Sequence, residues 1–247
     1  MPNIHSSISF GLVNIPIIMN PLIKNNDTSF NQLHKKCLNR IQYLKYCPSC
    51  KEKLKENDII KGYEIEKDEY LTFTKEELNK LKPEKTNEIE IVGFINLKDV
   101  DPIYFEKSYI LLTEKKTKAY SLFIKALKEA NKVALGKTIL GSKFYYCILR
   151  LNKEQIVMTT LYFEEEIKQF DAIKMSDINQ KELDTAMMLI KQMEIKFEPE
   201  KYQDEYQKSI KDAINNKLNG EKINPTKKKK KTEINNLLLA LEKSLKK

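Results

Sequence analysis

Across residues 133–163 three apolar runs are separated by two short polar breaks. The runs are 133–140, 144–151 and 156–163; the breaks are Gly141-Ser142 and residues 152–155. A Gly-Ser pair between apolar runs is a two-residue hairpin signal, and two turns in succession make an antiparallel meander. Meanders of this length commonly close into barrels or pack as sandwiches. Any fold for this chain has to be built around that meander.

Upstream, residues 8–18 (Ile-Ser-Phe-Gly-Leu-Val-Asn-Ile-Pro-Ile-Ile) are rich in β-branched side chains and too Pro-interrupted for a helix. They read as one strand buried on both faces, with Pro16 tolerated only near a bulge or an edge. Further strand-like pieces occur at 70–73, 89–92 and 109–112. Between the first two, Thr74-Lys-Glu-Glu77 has the form of a capping box ahead of Leu78 and Leu81, and Pro83 stops the helix. In 118–131, Tyr120, Phe123, Ile124, Leu127 and Ala130 recur at helical spacing.

After Phe163 the pattern becomes helical. Leu183, Ala186, Met187, Ile190 and Met193 mark one amphipathic helix. Tyr202, Tyr206, Ile210, Ala213, Ile214 and Leu218 mark a second, closed by Gly220. Residues 221–232 contain Pro225 and five consecutive lysines and read as a flexible basic linker. Ile234, Leu237, Leu238, Leu241 and Leu245 then form an apolar face, a candidate partner-binding helix too short to be stable alone in water. No internal repeat is evident.

Charge is distributed unevenly. The net +9 includes +6 from residues 221–247, leaving +3 for 1–220. Within the body, residues 115–150 hold nine Lys/Arg against the single acid Glu129, whereas 51–107 and 151–220 each sum to −4. A basic band inside an acidic-leaning body reads as a polyanion-binding surface. Lys118, Lys125, Lys128 and Lys132 form one helical stripe within it, and Lys137, Lys143 and Arg150 continue it onto the meander. Arginines are almost absent otherwise, with only Arg40 besides Arg150. Lysine point charges suit sequence-independent phosphate contact, whereas forked arginines serve base readout.

His34 and Cys37, then nine residues, then Cys47 and Cys50, make the pattern H-x2-C-x9-C-x2-C. Two close-set pairs of this kind can supply four ligands to a tetrahedral zinc, and four protein ligands leave no open position for catalysis. The alternatives are an incidental thiol cluster or a redox Cys-x-x-Cys. Three clustered cysteines and a lone Cys147 suit metal binding in a reducing compartment better than a disulfide framework.

No glycine-rich nucleotide loop, P-loop, His-Glu-x-x-His or Gly-x-Ser-x-Gly motif is present. Glu164-Glu165-Glu166 reads as a solvated strand end or helix start. Binding without catalysis is the expectation, so the chain is not read as an enzyme. No apolar run reaches the ~18 residues of a membrane span, and the N-terminal apolar stretch lacks signal-peptide features, so the chain is expected to be soluble and cytoplasmic, away from membranes.

Several segments in order carry a family resemblance. They are Ile8-Ser-Phe-Gly-Leu-Val-Asn-Ile-Pro, Lys61-Gly-Tyr-Glu, Glu88-Ile-Glu-Ile and Asp101-Pro-Ile-Tyr-Phe, then Ala126-Leu before Lys132-Val-Ala, Met158-Thr-Thr-Leu-Tyr, and Phe197-Glu-Pro-Glu-Lys-Tyr. Together, across residues 3–245, they resemble the bacterial Ku proteins of non-homologous end joining. The resemblance implies an α+β fold with an antiparallel β-barrel core over 1–175. It implies an extended bridge arm at about 20–100 that includes the zinc hairpin 34–50, a helical region at 176–220, and a tail comprising the linker 221–232 and helix 233–247. It further implies a homodimer closing a ring around double-stranded DNA ends, and recruitment of the ATP-dependent DNA ligase D, with the protein on the bacterial nucleoid when DNA-bound. Family members often have an arginine near the Gly141 turn, where this chain has Lys143. Rival readings are a zinc-ribbon nuclease and an RNA-binding module.

Overall fold

The computed structural model describes residues 3–82, 87–114 and 117–222. The chain divides into two compact units, one of Met1–Asn25 with Gln32–Gln169 and one of Asn26–Asn31 with Phe170–Lys247.

The first unit is organised by a closed barrel. Its strands are β1 (Ile4–Phe10), β2 (Val13–Pro21), β7 (Glu88–Ile95), β8 (Phe105–Leu112), β9 (Val133–Leu140), β10 (Lys143–Asn152) and β11 (Gln155–Leu161). They neighbour one another in the order β1-β2-β8-β11-β10-β9-β7. All pairings are antiparallel except the closing one, where Ser7, Ile8 and Ser9 run parallel to Glu88, Ile89 and Glu90. The expected meander is the β9-β10-β11 stretch. Gly141 and Lys153 occupy left-handed conformations at φ +68° and +57° in its two turns, each between directly paired residues, Leu140–Lys143 and Asn152–Gln155.

Alternation along these strands sends Ile8, Ile15, Ile17, Met19, Ile89, Leu111, Leu149, Ile156 and Met158 into one buried cluster. Each such side chain contributes roughly 1.5–3 kcal/mol by leaving water. Helix α2 (Lys118–Ala130) adds Phe123 and Leu127 to the same cluster. We call α2 the plug helix because Phe123 and Leu127 close this cluster. Thr117 caps it by accepting from the Tyr120 amide, Tyr120 Oη donates to the Leu111 carbonyl at 2.6 Å, and Asn131 ends it in the left-handed conformation.

Between β2 and β7 lie small, exposed pieces. Strands β3 (Tyr46–Cys47) and β4 (Glu52–Lys53) form one hairpin, and β5 (Lys61–Glu66) and β6 (Glu69–Phe73) another. Helix α1 (Lys75–Lys80) starts at the capping box expected at Thr74 and Glu77. In the second unit, α3 (Gln180–Gln192) and α4 (Glu205–Leu218) are capped by Asn179 and Asp204 and bury no residue. Gln207 Oε1 there accepts from the Thr28 amide at 3.0 Å.

Three boundaries differ from expectation. Residues 8–18 are not one strand: Gly11, at φ +59°, turns the chain between β1 and β2, which pair with each other from Phe10–Val13 outward. A left-handed residue that only glycine adopts freely interrupts what otherwise looks like a continuous apolar run. Pro16 is tolerated because β2 meets β8 only from Ile18 onward, leaving its missing N–H on an unpaired edge. The insertion expected over 20–100 is shorter, since β7 is a barrel strand between β1 and β9. The third meander run ends at Leu161, not at Phe163, after a β-bulge between Thr159 and Leu161.

Candidate nucleic-acid interface

The basic band divides into paired and unpaired cations. Lys125 on α2 is an i,i+4 partner of Glu129 at 3.8 Å. Lys137 on β9 meets Glu90 of the neighbouring β7 at 2.9 Å. Lys143 on β10 meets Glu166 at 2.9 Å and lies 5.2 Å from the centre of the Tyr145 ring. The hydrogen bond to Glu166 raises the Lys143 ammonium above its ordinary range. The Glu166 carboxyl is in turn held low by the Phe163 amide first and by Lys143 second. These three lysines add less field toward a polyanion than their number in the sequence suggests.

Lys128, Lys132 and Arg150 behave differently. With Lys98 they line one open cavity of about 540 Å³ beside the C-terminal turn of α2, and among the described residues none of the four is in an ion pair. Lys132 Nζ donates to Asn96 Oδ1 at 2.6 Å, and Asn96 Nδ2 donates to Asp99 at 2.7 Å. Arg150 is half-buried on β10 between the buried Leu149 and the partly buried Leu151. Lys118 stands apart at the start of α2, beside an apolar cavity that includes Phe10, Leu122 and Phe123. Lys115 and Lys116 lie outside the described residues.

Sequence reading missed Lys98, Asn96 and Asn131, all of which line the basic cavity. Lys98 sits in an acidic-leaning stretch and has no local signal. Only the β7-β9 pairing, which sets Ile95 against Val133, carries it beside α2.

The candidate metal residues form two successive turns of matching build. In the first, Leu33 bridges Arg40, the His34 amide donates to the Asn39 carbonyl at 2.9 Å, and Leu38 adopts φ +57°. In the second, Tyr46 pairs with Lys53, Cys47 pairs with Glu52, and Lys51 adopts φ +56°. Each position of the first maps onto the second 13 residues later, so His34 matches Cys47 and Cys37 matches Cys50. The repeat lies in the backbone and leaves little trace in side-chain identity.

His34 Nδ1 is 3.0 Å from Cys37 Sγ, and the Cys50 amide approaches Cys47 Sγ at 3.5 Å. That amide holds the Cys47 thiol below its ordinary range, while Cys50 is raised by its hydrogen bond with Cys47. One imidazole and three thiols are donors of the kind that zinc takes. Among the described residues, however, no three His, Cys, Asp or Glu side chains are gathered closely enough to hold an ion. Cys147 plays no part in this cluster, because it is buried in the barrel with its thiol pushed up to about 12 by desolvation. The apolar candidates Ile234, Leu237, Leu238, Leu241 and Leu245 lie outside the described residues. Among the described residues, no helix is long and apolar enough to cross a membrane.

Comparison with known proteins places this architecture. The family model for the Ku70/Ku80 beta-barrel domain matches residues 9–185. A non-homologous end joining protein Ku of Lachnoclostridium phytofermentans is 36% identical over 98% of this chain and 95% of its own length. The protein of the same description from Desulfitobacterium hafniense is 40% identical over 87% of this chain and 76% of its own length. That of Bacillus subtilis is 36% identical, covering 97% and 79%. The family-model match takes in the end of β1, the other six barrel strands, the plug helix and the start of α3. On that evidence the chain belongs to the Ku family.

Proposed function

We propose that the chain binds ends of double-stranded DNA without reading their sequence, as a ring-shaped homodimer acting in non-homologous end joining. The observation that carries this reading is the group of four cations, Lys98, Lys128, Lys132 and Arg150, which line one cavity of a Ku-family barrel unit and are in no ion pair among the described residues. Duplex DNA presents a charge every ~1.7 Å, so a fixed group of cations on each of two subunits follows the backbone and not the bases. Lys118 extends the surface, and Lys125, Lys137 and Lys143 join it to the extent that they leave their carboxylates.

The ring is completed in this reading by a bridge arm drawn from the exposed segment between β2 and β7. His34, Cys37, Cys47 and Cys50 would hold one structural zinc in it; when bound, the metal supplies a cross-link between the two turns and no catalysis. Recruitment of ligase D falls to the tail, through Ile234, Leu237, Leu238, Leu241 and Leu245. The site works by charge neutralisation, and no reaction is assigned to it.

The test is a gel shift that compares linear duplex with covalently closed circular DNA of the same sequence over a salt series. Retention of linear DNA only, with log K falling against log salt at a slope near −5 if about six phosphates are neutralised, is the expected result. Equal retention of both forms rules out threading. Deleting residues 221–247 should lower ligase stimulation more than DNA retention; unchanged stimulation moves the ligase contact into 176–220.

A further inference from the structure

Lys98, Lys128, Lys132 and Arg150 line one concavity. A duplex backbone lying across it meets these cations at the rim, whereas a compact anion enters and meets them together. The cations are also held in place. Lys132 is tied to Asn96 at 2.6 Å, and Arg150 is half-buried on β10. Asn131 lies in the wall at φ +51°, and Leu127 and Val133, both buried, lie behind it. The charges that oppose this group are the carbonyl end of α2 and Asp99, which is one amide removed through Asn96. A helix C-terminus equals only about half a negative charge, so the pocket keeps a clear positive excess.

We infer that this cavity is a pocket for a phosphate monoester: a compact, multiply charged group that enters the concavity, unlike the singly charged diester of a continuous strand. Two sources carry that group, the terminal phosphate of a DNA end and a free phosphate ester. Only the first rests on the DNA-binding reading proposed above. Four cations, with Lys132 tied to Asn96, match a dianion, and a charge-assisted fork from Arg150 gives the contact geometric selectivity.

The experiment uses the full chain and two probes. Inorganic tripolyphosphate is titrated calorimetrically, and duplexes ending in a 5′-phosphate, a 3′-phosphate or hydroxyls only are compared by fluorescence anisotropy at constant salt. R150Q/K132Q is the test variant and K181Q/K208Q, exposed in the second unit, the charge-matched control, and thermal melts confirm folding. If R150Q/K132Q does not fold, K98Q/K128Q, which alters exposed positions only, takes its place.

Saturable tripolyphosphate binding that weakens about tenfold or more in the test variant, and less than twofold in the control, supports the pocket. A several-fold preference for phosphorylated ends that the same variant abolishes assigns it to DNA termini. Tripolyphosphate binding without end preference assigns it to small free phosphates and not to DNA termini. If neither probe distinguishes the test variant from the control, the inference is overturned, even where every duplex still binds. Loss of duplex binding by the wild-type chain alongside intact tripolyphosphate binding would instead sink the DNA reading and leave the pocket standing.

Discussion

Lys132 and Asn96 are 36 residues apart in sequence, yet the lysine ammonium donates to the asparagine Oδ1 at 2.6 Å. The contact joins the residue before β9 to the residue after β7. It fixes one of the four cavity cations without neutralising it, because an amide oxygen carries no net charge. Asn96→Leu removes the acceptor and leaves the lysine charge in place. DNA affinity is expected to fall by about two- to fivefold at unchanged salt slope, since ordering is lost and no cation is removed. Anisotropy titrations at three salt concentrations check this; a slope reduced by about one unit means that the lysine itself has been displaced from the DNA.

The paired lysines should matter less than the unpaired ones. Lys128→Gln is expected to weaken duplex binding several-fold, whereas Lys137→Gln and Lys143→Gln should each change it by less than about twofold, because Glu90 and Glu166 already screen them. Glu166→Gln frees Lys143 and should strengthen binding. Equal losses at all three lysines in one binding series mean that the ion pairs dissolve on DNA.

The Glu166 pair also has a pH signature. Its carboxyl is held low by the Phe163 amide and then by Lys143, so the folded state favours the ionised form. The stabilisation is fully present above the usual carboxylate range near ~4.3 and is lost as pH falls through the lowered folded value. Melting curves from pH 6 downward should converge for wild type and E166Q at the acid end; a constant offset throughout contradicts this assignment.

The four thiols should separate by reactivity. Cys37 and Cys50 are exposed and Cys47 is partly so, whereas Cys147 is buried. A disulfide-exchange reagent at pH 8 should titrate three thiols quickly and the fourth only in denaturant. Burial raises the Cys147 thiol from 9.0 to about 12, so its contribution to stability is complete below 9 and is lost as pH climbs toward that upper value. Zinc at one equivalent should protect the three reactive thiols and leave the fourth unchanged. Absence of protection, with no metal found by elemental analysis of the purified chain, would sink the zinc assignment.

The plug helix depends on its cap. Thr117→Ala leaves the Tyr120 amide without its side-chain acceptor and should cost about 1 kcal/mol, read as a drop of a few degrees in Tm. Thr117→Ser should restore most of it. A neutral alanine variant means that packing of Phe123 and Leu127 alone sets the helix start.

Local features were legible because their causes are local. The turns at Gly141 and Lys153, the capping box at Thr74 and the 3.6-residue period of α2 each follow from a few adjacent residues. The turn at Gly11 was not, because apolar residues flank it on both sides and the run reads as one strand buried on both faces. Closure of the barrel was illegible for a different reason: β1 meets β7 in parallel across some 81 residues, from Ser7 to Glu88. No local propensity specifies a pairing that far along the chain.

The charge pattern divides in the same way. By itself the sequence determined that a lysine-rich helix and a basic meander lie together between acidic flanks, since residue type and period settle both. Only the tertiary structure decided which of those cations remain available. Sheet register set Glu90 against Lys137 and brought Glu166 to Lys143, while β7 carried Lys98 from an acidic stretch to the side of Arg150. A cation's field depends on which charges stand within a few ångströms of it, and that distance is fixed by folding, not by position along the chain.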